Sequence, residues 1–223
     1  MQQPWENWVY RWEKMIEAIS RVGGETKNVL IAPPASLPQV EQIEKTLGVA
    51  LPPSFRKTVL ESSARVAFSW YVPDENEWVQ SLPGAWNEAQ WGNCSWDLDR
   101  LVELNRDKDS WIEQVFPNPE DPYDKVWHNK LAFHDVGNGD YLAFDLAHGP
   151  DCPVVYLSHD DGEGHGAILG NDFVDFMDRW TRIGCPGTED WKMLPFVSSA
   201  SSGIDPDCEN AVKWREWLQL SVE

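Results

Sequence analysis

Two apolar segments separated by a glycine-rich turn constrain the fold of this chain more than any other feature. The segments LAFHDV and DYLAFDL flank Gly-Asn-Gly at residues 137–139, which tolerate the positive φ angles of a tight hairpin. In the second segment Leu142 and Phe144 alternate with Tyr141 and Ala143, so both faces of the strand are largely apolar. Such a strand is typical of a sheet interior, which means that other elements must cover the sheet on each face.

The surrounding patterns predict that these covering elements are helices. CPVVYLSHD extends the hairpin into an antiparallel meander, and ARVAFSWYV reads as a further strand. Amphipathic helices are predicted from Pro4, over 38–48, from Ser54, and in two later segments, GNDFVDFMDRWTRIG and CENAVKWREWLQL. We therefore predict an α+β fold, with a central antiparallel meander flanked by N- and C-terminal helices. In the first helix Trp5, Trp8 and Trp12 recur at steps of three and four, which favours core packing.

Residues 73–130 form a long, tryptophan-rich insert in this pattern. Residues 73–96 carry Trp78, Trp86, Trp91 and Trp96, and we predict an elaborated loop or short extra strands there. A helix is predicted to follow, with Ser95 as its N-cap. Between the first two helices we predict only a break at Gly23-Gly24 and a Pro-rich connector.

Length, cysteine usage and charge limit the class of protein. The 223 residues predict a single domain, 1–223. The chain shows no signal peptide and no apolar run near the ~20 residues of a membrane span, so we expect a cytoplasmic protein with reduced thiols. The net charge of −19 disfavours direct binding to nucleic acid or an anionic membrane and permits a basic partner. The four cysteines are far apart and lack a CxxC pair; they are Cys94, Cys152, Cys185 and Cys208.

Acidic residues are concentrated in one part of the chain. Residues 131–178 hold ten Asp or Glu and no Lys or Arg, whereas residues 1–30 balance four acids with four bases. A surface of one sign accelerates association with an oppositely charged partner, and tryptophans with a charged rim are frequent in tight interfaces. These features predict the following partner-binding residues: Trp70, Tyr71, Asp74, Glu75, Glu77, Asp160, Asp161 and Glu163.

A metal-assisted hydrolase is the alternative that the histidines raise. Its ligands would come from two His-Asp pairs and a nearby histidine: His134, Asp135, His159, Asp160 and His165. Adjacent residues in a strand point to opposite faces, so only one member of each pair could face a common metal. The chain also lacks the GxSxG, GxxxxGK[ST], HExxH and GxGxxG motifs. We therefore predict a hairpin with structural polar residues, no cofactor, no metal and no catalytic residue.

Several of these motifs together resemble the SUKH superfamily. LGVALPPSFRKTVLE matches a helix that ends in Leu-Gly, followed by a Leu-Pro-Pro-Ser-Phe turn that opens a short helix. The hairpin with Gly139 and Asp140, a strand that ends at Asp145, the segment PVVYLSHD and a helix that begins near Asn171 follow in the expected order. The resemblance covers about 36–182. Glu61-Ser62-Ser63-Ala64 replaces a usual Asn-Gly-Gly-like segment, and the long insert and the tail after residue 184 are extra.

The resemblance implies a non-enzymatic protein-binding role. Bacterial members are similar to immunity proteins that neutralise a cognate toxin, often a nuclease, and fungal relatives regulate cell-wall synthesis. The resemblance thus favours an immunity protein that occludes a basic toxin, with a regulatory scaffold in cell-wall synthesis or signalling as the alternative. It carries over no catalytic residue. It implies structural roles for Leu51, Pro52, Pro53, Gly139, Asp140 and Asp145.

Overall fold

The computed structural model describes residues 3–80 and 90–220, and it places the strands in two antiparallel sheets. This confirms the predicted α+β fold, with the difference that the strands divide between two sheets. The three-stranded sheet has the order β1-β2-β3, and the four-stranded sheet has the order β4-β5-β6-β7. The strands are β1 Glu25–Ile31, β2 Arg65–Tyr71, β3 Trp91–Asp97, β4 Lys130–Asp135, β5 Tyr141–Asp145, β6 Val154–Leu157 and β7 Ile168–Gly170.

Helices precede, separate and follow the two sheets. Trp86 and the side chain of Trp78 lie outside the described residues. In the part of the chain that the structure describes, no helix combines the length and the apolar composition that crossing a bilayer requires. The helices are α1 Pro4–Arg21, α2 Leu37–Leu47, α3 Pro53–Glu61, α4 Glu77–Gln80, α5 Leu101–Gln114, α6 Asp124–Trp127, α7 Phe173–Arg182, α8 Asp190–Met193 and α9 Glu209–Leu218.

The main core lies between the inner faces of both sheets and helices α1, α3, α7 and α9. The tryptophan stripe of α1 packs there as predicted: Trp8 and Trp12 are buried, and the Trp8 ring meets Phe173 of α7 edge-on. In β2, Val66, Phe68 and Trp70 face this core, while the intervening residues face outward. The N-terminal helix is therefore an integral part of the core.

The four-stranded sheet contains the hairpin that the glycines predict. Gly137 and Gly139 have φ angles of 97° and 107°. Asp135 Oδ1 accepts a hydrogen bond from Gly137 N at 2.8 Å, and Asn138 Oδ1 accepts one from Asp140 N at 3.0 Å. Every residue of β5 is buried, which confirms the prediction of an interior strand. The polar residues beside the turn satisfy its exposed amides.

The insert forms the second cover of the four-stranded sheet. Its helices α5 and α6 bury a smaller apolar cluster, centred on Trp127, against the outer face of that sheet. Asn105 of α5 also covers the outer edge of β4, with which no strand in the described residues pairs, because its Oδ1 accepts from Ala132 N at 2.8 Å and its Nδ2 donates to Ala132 O at 2.9 Å. A side-chain amide thus supplies the hydrogen bonds that a further strand would make.

Two local predictions were wrong. Ser95 lies within β3, and the cap belongs to Asp97, whose side chain accepts from Asp99 N at the 3-10 turn Leu98–Arg100. Strand β1, at residues 25–31, was not predicted; it pairs with β2 and carries a register shift between Lys27 and Leu30.

Candidate functional site

One end of the four-stranded sheet gathers the hairpin and the loop that follows β6. Strands β4 and β6 run in the same direction, because each pairs antiparallel with β5. Their C-terminal ends therefore lie at the same end of the sheet, on either side of β5. The ring of His159, just after β6, lies 3.1 Å from the point where a Cβ on Gly139 would stand, so the hairpin and the loop are in direct contact.

Asp140 organises this end of the sheet from within. Its carboxylate is 1% exposed. It accepts hydrogen bonds from Tyr156 Oη at 2.5 Å, from His159 Nδ1 at 2.7 Å and from His159 N at 2.8 Å. Burial, followed by the hydrogen bond to Asp140, raises the pKa of Tyr156 well above its ordinary value, so its hydroxyl remains a donor. The buried carboxylate thereby holds strand β6 and the start of the loop to the hairpin.

Residues 158–165, which we call the acidic loop, are tied down at three further points. The buried Ser158 Oγ accepts from Gly162 N at 3.0 Å. Tyr123 Oη accepts from Asp161 N at 3.0 Å, which ties the loop to the insert. Asp190 Oδ2, at the start of α8, accepts from Gly164 N at 2.9 Å. The loop is therefore held by the strand before it, by the insert and by the C-terminal part of the chain.

His165 closes the acidic loop as a neutral imidazole. Its Nδ1 accepts from Ser158 N at 3.0 Å, so the proton is on Nε2, which donates to Tyr123 O at 3.0 Å. The ring also stacks on that of Tyr123, with centroids 3.8 Å apart. Burial lowers the pKa of His165, which agrees with the neutral form.

The structure separates the ten acids of residues 131–178 into two groups. Six of them make hydrogen bonds or ion pairs that hold the fold, with partners as distant in sequence as Arg11: Asp140, Asp145, Asp151, Asp172, Asp175 and Asp178. The other four side chains are exposed, and within the described residues no cation pairs with them, although two of them also accept a local hydrogen bond, Asp135 from Gly137 N and Asp160 from Ser158 Oγ. These four, Asp135, Asp160, Asp161 and Glu163, lie at the same end of the sheet, and we call them the acidic end.

The comparison with known families fits this architecture. A model of the SMI1 / KNR4 family (SUKH-1) matches residues 34–179, which is well over half of the chain. The chain belongs to the SUKH-1 family. Members of this family are generally non-enzymatic binding modules with toxin-immunity or regulatory roles. No curated protein sequence matches this SUKH-1 chain.

Residues that carried the family resemblance occupy structural positions. Leu51 is buried, and Pro53 opens α3. Asp145 pairs with Lys130 at 3.0 Å and with His148 at 2.8 Å. Together with Gly139 and Asp140 in the hairpin, they position the strands of the SUKH-1 core.

Trp70 does not fit the predicted contact surface of this SUKH-1 protein. It is 2% exposed, and its Nε1 donates to Gly184 O at 3.1 Å. The indole therefore packs into the core and presents no surface to a partner, so we remove it from the contact residues.

The remaining predicted contact residues form two exposed groups. Tyr71, Asp74, Glu75 and Glu77 follow the end of β2, while Asp160, Asp161 and Glu163 belong to the acidic end. Within the described residues no hydrogen bond or ion pair joins the groups directly. The segment 187–190 touches both regions, since Gly187 N donates to Trp91 O, opposite Tyr71, and Asp190 holds the acidic loop.

Sequence reasoning missed Trp191, which is 47% exposed at the start of α8. Its neighbour Asp190 binds both Gly164 N and Trp191 N, so an exposed aromatic ring lies next to the acidic loop. The sequence signal that could have indicated an exposed ring is the position of Trp191 between two charged residues, Asp190 and Lys192.

The five residues of the metal hypothesis do not come together as one set. His134 is buried beside Ser95 and Thr188, its ring nitrogens lie 3.0 and 3.2 Å from those partners, and burial lowers its pKa. Asp135 points to solvent, and both nitrogens of His165 are engaged in hydrogen bonds.

A different trio, Asp140, His159 and Asp160, has ligand atoms within 4.8 Å of one another. Its members already bind each other or Ser158: His159 Nδ1 donates to Asp140, and Asp160 accepts from Ser158 Oγ at 2.9 Å. This arrangement orders the acidic loop.

Proposed function

We propose that this SUKH-1 protein is an immunity protein that neutralises a basic toxin by covering the toxin's functional surface. The observation that supports the proposal is the acidic end, where Asp135, Asp160, Asp161 and Glu163 are exposed and form no ion pair with a cation in the part of the chain that the structure describes. A toxin that grips nucleic-acid phosphates needs basic residues in its groove. Carboxylates that occupy such a groove would compete with the nucleic acid for the same cations.

The charge distribution favours a directed encounter with such a partner. Carboxylates at one end of the molecule create a local field of one sign, which can raise association rates by roughly 10- to 1,000-fold. Trp191, next to the acidic loop, offers the aromatic contact that tight interfaces favour, and an arginine of the partner could stack on it. The exposed group at Tyr71, Asp74, Glu75 and Glu77 is a second proposed contact.

The test takes as partner the product of any toxin gene that neighbours the gene for this chain. A variant with Asp160→Asn, Asp161→Asn and Glu163→Gln removes three charges from the acidic loop. A control variant with Glu41→Gln, Glu113→Gln and Glu216→Gln removes three exposed charges elsewhere. We expect the first variant to associate at least ~10-fold more slowly at low salt in surface plasmon resonance, with a weaker dependence on salt.

The control should associate within about twofold of the unmodified chain. Equal slowing of both variants would show that only the net charge matters and would remove the acidic end as the docking surface. A neighbouring toxin that keeps its full activity when mixed with the unmodified chain would overturn the immunity role. The regulatory alternative would then gain support if the chain bound a component of cell-wall synthesis instead.

A further inference from the structure

A hollow of about 350 Å³ lies at the opposite end of the four-stranded sheet from the acidic end. It is bounded by α6, the start of β4, the turn after β5 and the turn before β7. Its volume falls at the small end of the ~300–1,000 Å³ typical of ligand sites. Apolar groups make up much of its lining, chiefly Pro119, Pro122, Val126, Ala147 and Val155.

A buried ammonium group faces this hollow. The side chain of Lys130 is 7% exposed, and its Nζ donates to Asp145 Oδ1 at 3.0 Å and to His128 O at 3.0 Å. An ammonium carries three N–H donors, so within the described residues these two acceptors leave one donor unused. Asp145 also accepts from His148 Nδ1 at 2.8 Å and from Ala147 N at 3.2 Å, so most of its acceptor capacity is already used within the protein.

The charged residues that line the hollow have a net positive charge, whereas the whole chain is strongly negative. Lys125 also lines it and is exposed, so two ammonium groups face the one carboxylate of Asp145. The imidazoles of His128 and His148 already donate to Phe116 O and Asp145 Oδ2, so the two lysines are the groups that would hold an anion. In a chain of net charge −19, this is a local site where an anion is attracted.

We propose that this hollow binds a small organic anion: a carboxylate that meets Lys130 and Lys125, joined to an apolar body that packs on Val126 and Val155. The carboxylate would use the remaining donor of the buried Lys130, and charge-assisted hydrogen bonds of this kind are about twice as strong as neutral ones. The apolar body would complete the edge of the cluster under α5 and α6. This site is separate from the acidic end and does not depend on the proposed immunity role.

The test compares two ligands of the same shape with the full chain. Isothermal titration calorimetry with para-isopropylbenzoate should give a Kd below about 1 mM, and neutral para-isopropylbenzamide should bind at least ~10-fold more weakly. Amide resonances of Val126 and Val155 should shift on addition of the acid. Failure of the acid to bind, or equal binding of acid and amide, would overturn the proposal.

Variants locate the site without risk to the core. Lys125→Gln removes the exposed ammonium and should weaken binding of the acid by ~3- to 10-fold. Lys45→Gln, an exposed lysine on α2, should leave it unchanged. Ala147→Trp, at an exposed position of the lining, should fill the hollow and abolish binding while the circular dichroism spectrum stays native. Unaltered affinity in the Ala147 variant would place the bound acid elsewhere and contradict the assignment.

Discussion

A single carboxylate, that of Asp140, connects the hairpin to strand β6 and to the acidic loop. Because it is buried, its loss would leave Tyr156 Oη and two N–H groups of His159 without their acceptor. We expect Asp140→Ala to lower the free energy of unfolding by about 3 kcal/mol. Urea denaturation followed by tryptophan fluorescence measures this change.

Asp161→Asn is the matched control. Asp161 is exposed and has a φ of 63°, a conformation that asparagine adopts readily. We expect its free energy of unfolding to stay within about 0.5 kcal/mol of the unmodified chain. If both variants lost the same stability, the role assigned to Asp140 would be wrong.

His165 and His134 make stability depend on pH. Burial lowers the pKa of both, so between the ordinary value of about 6.5 and the lower folded value the unfolded chain binds more protons. The free energy of unfolding should therefore be at its full value above about pH 6.5 and fall as the pH drops below it.

His165→Gln tests this linkage. Glutamine can accept from Ser158 N and donate to Tyr123 O without titrating, so the decline in stability between about pH 7.5 and 5.5 should become shallower. Urea midpoints at several pH values measure the slope. An unchanged slope would mean that His165 does not contribute.

For individual residues, the sequence predicts some side-chain positions and not others. Val66, Phe68 and Trp70 alternate along β2, so strand periodicity alone could have predicted that Trp70 faces the core. The pairing of Asp178 with Arg11 could not be predicted, because the two residues lie far apart in sequence and meet only through the packing of α1 on α7. Fewer acidic side chains are therefore free for a partner than the sequence alone suggests.

Among the elements, α5 stands out because Asn105 substitutes for a neighbouring strand. Asn105→Ala would leave both polar groups of the Ala132 backbone unpaired at a buried edge. We expect it to lower the free energy of unfolding by about 2–4 kcal/mol. Arg106→Ala, at the next and exposed position of α5, should change it by about 0.5 kcal/mol or less in urea denaturation. A neutral Asn105 variant would refute the edge-capping role.

The elements with strong periodicity were predictable, and those defined by distant contacts were not. The helix end at Gly48, with a φ of 71°, and the hairpin at residues 137–139 follow from local backbone chemistry. Strand β1 is polar in its first half and interrupted by a register shift, so its sequence signal was weak and pairing with β2 determines it. The insert could be recognised by its composition, but its position over the sheet depends on distant contacts, such as those of Trp127 with Tyr141 and of Asn105 with Ala132.

For the molecule as a whole, one apolar core runs from α1 through both sheets to α9. We therefore predict a single domain that unfolds in one cooperative step. Tryptophan fluorescence and far-ultraviolet circular dichroism should give coincident urea transitions. Separate transitions, with the N-terminal helix or the C-terminal segment lost first, would show that these extensions fold independently.

The hydrogen bonds that fix residues 158–165 should affect both the association rate and the lifetime of any complex formed there. Ser158, Tyr123 and Asp190 hold this backbone in place before a partner arrives, so little freedom is left to be lost on association. Related partners should then have similar association rate constants, which are set by long-range electrostatic attraction. Their affinities should differ mainly in how long each one stays bound.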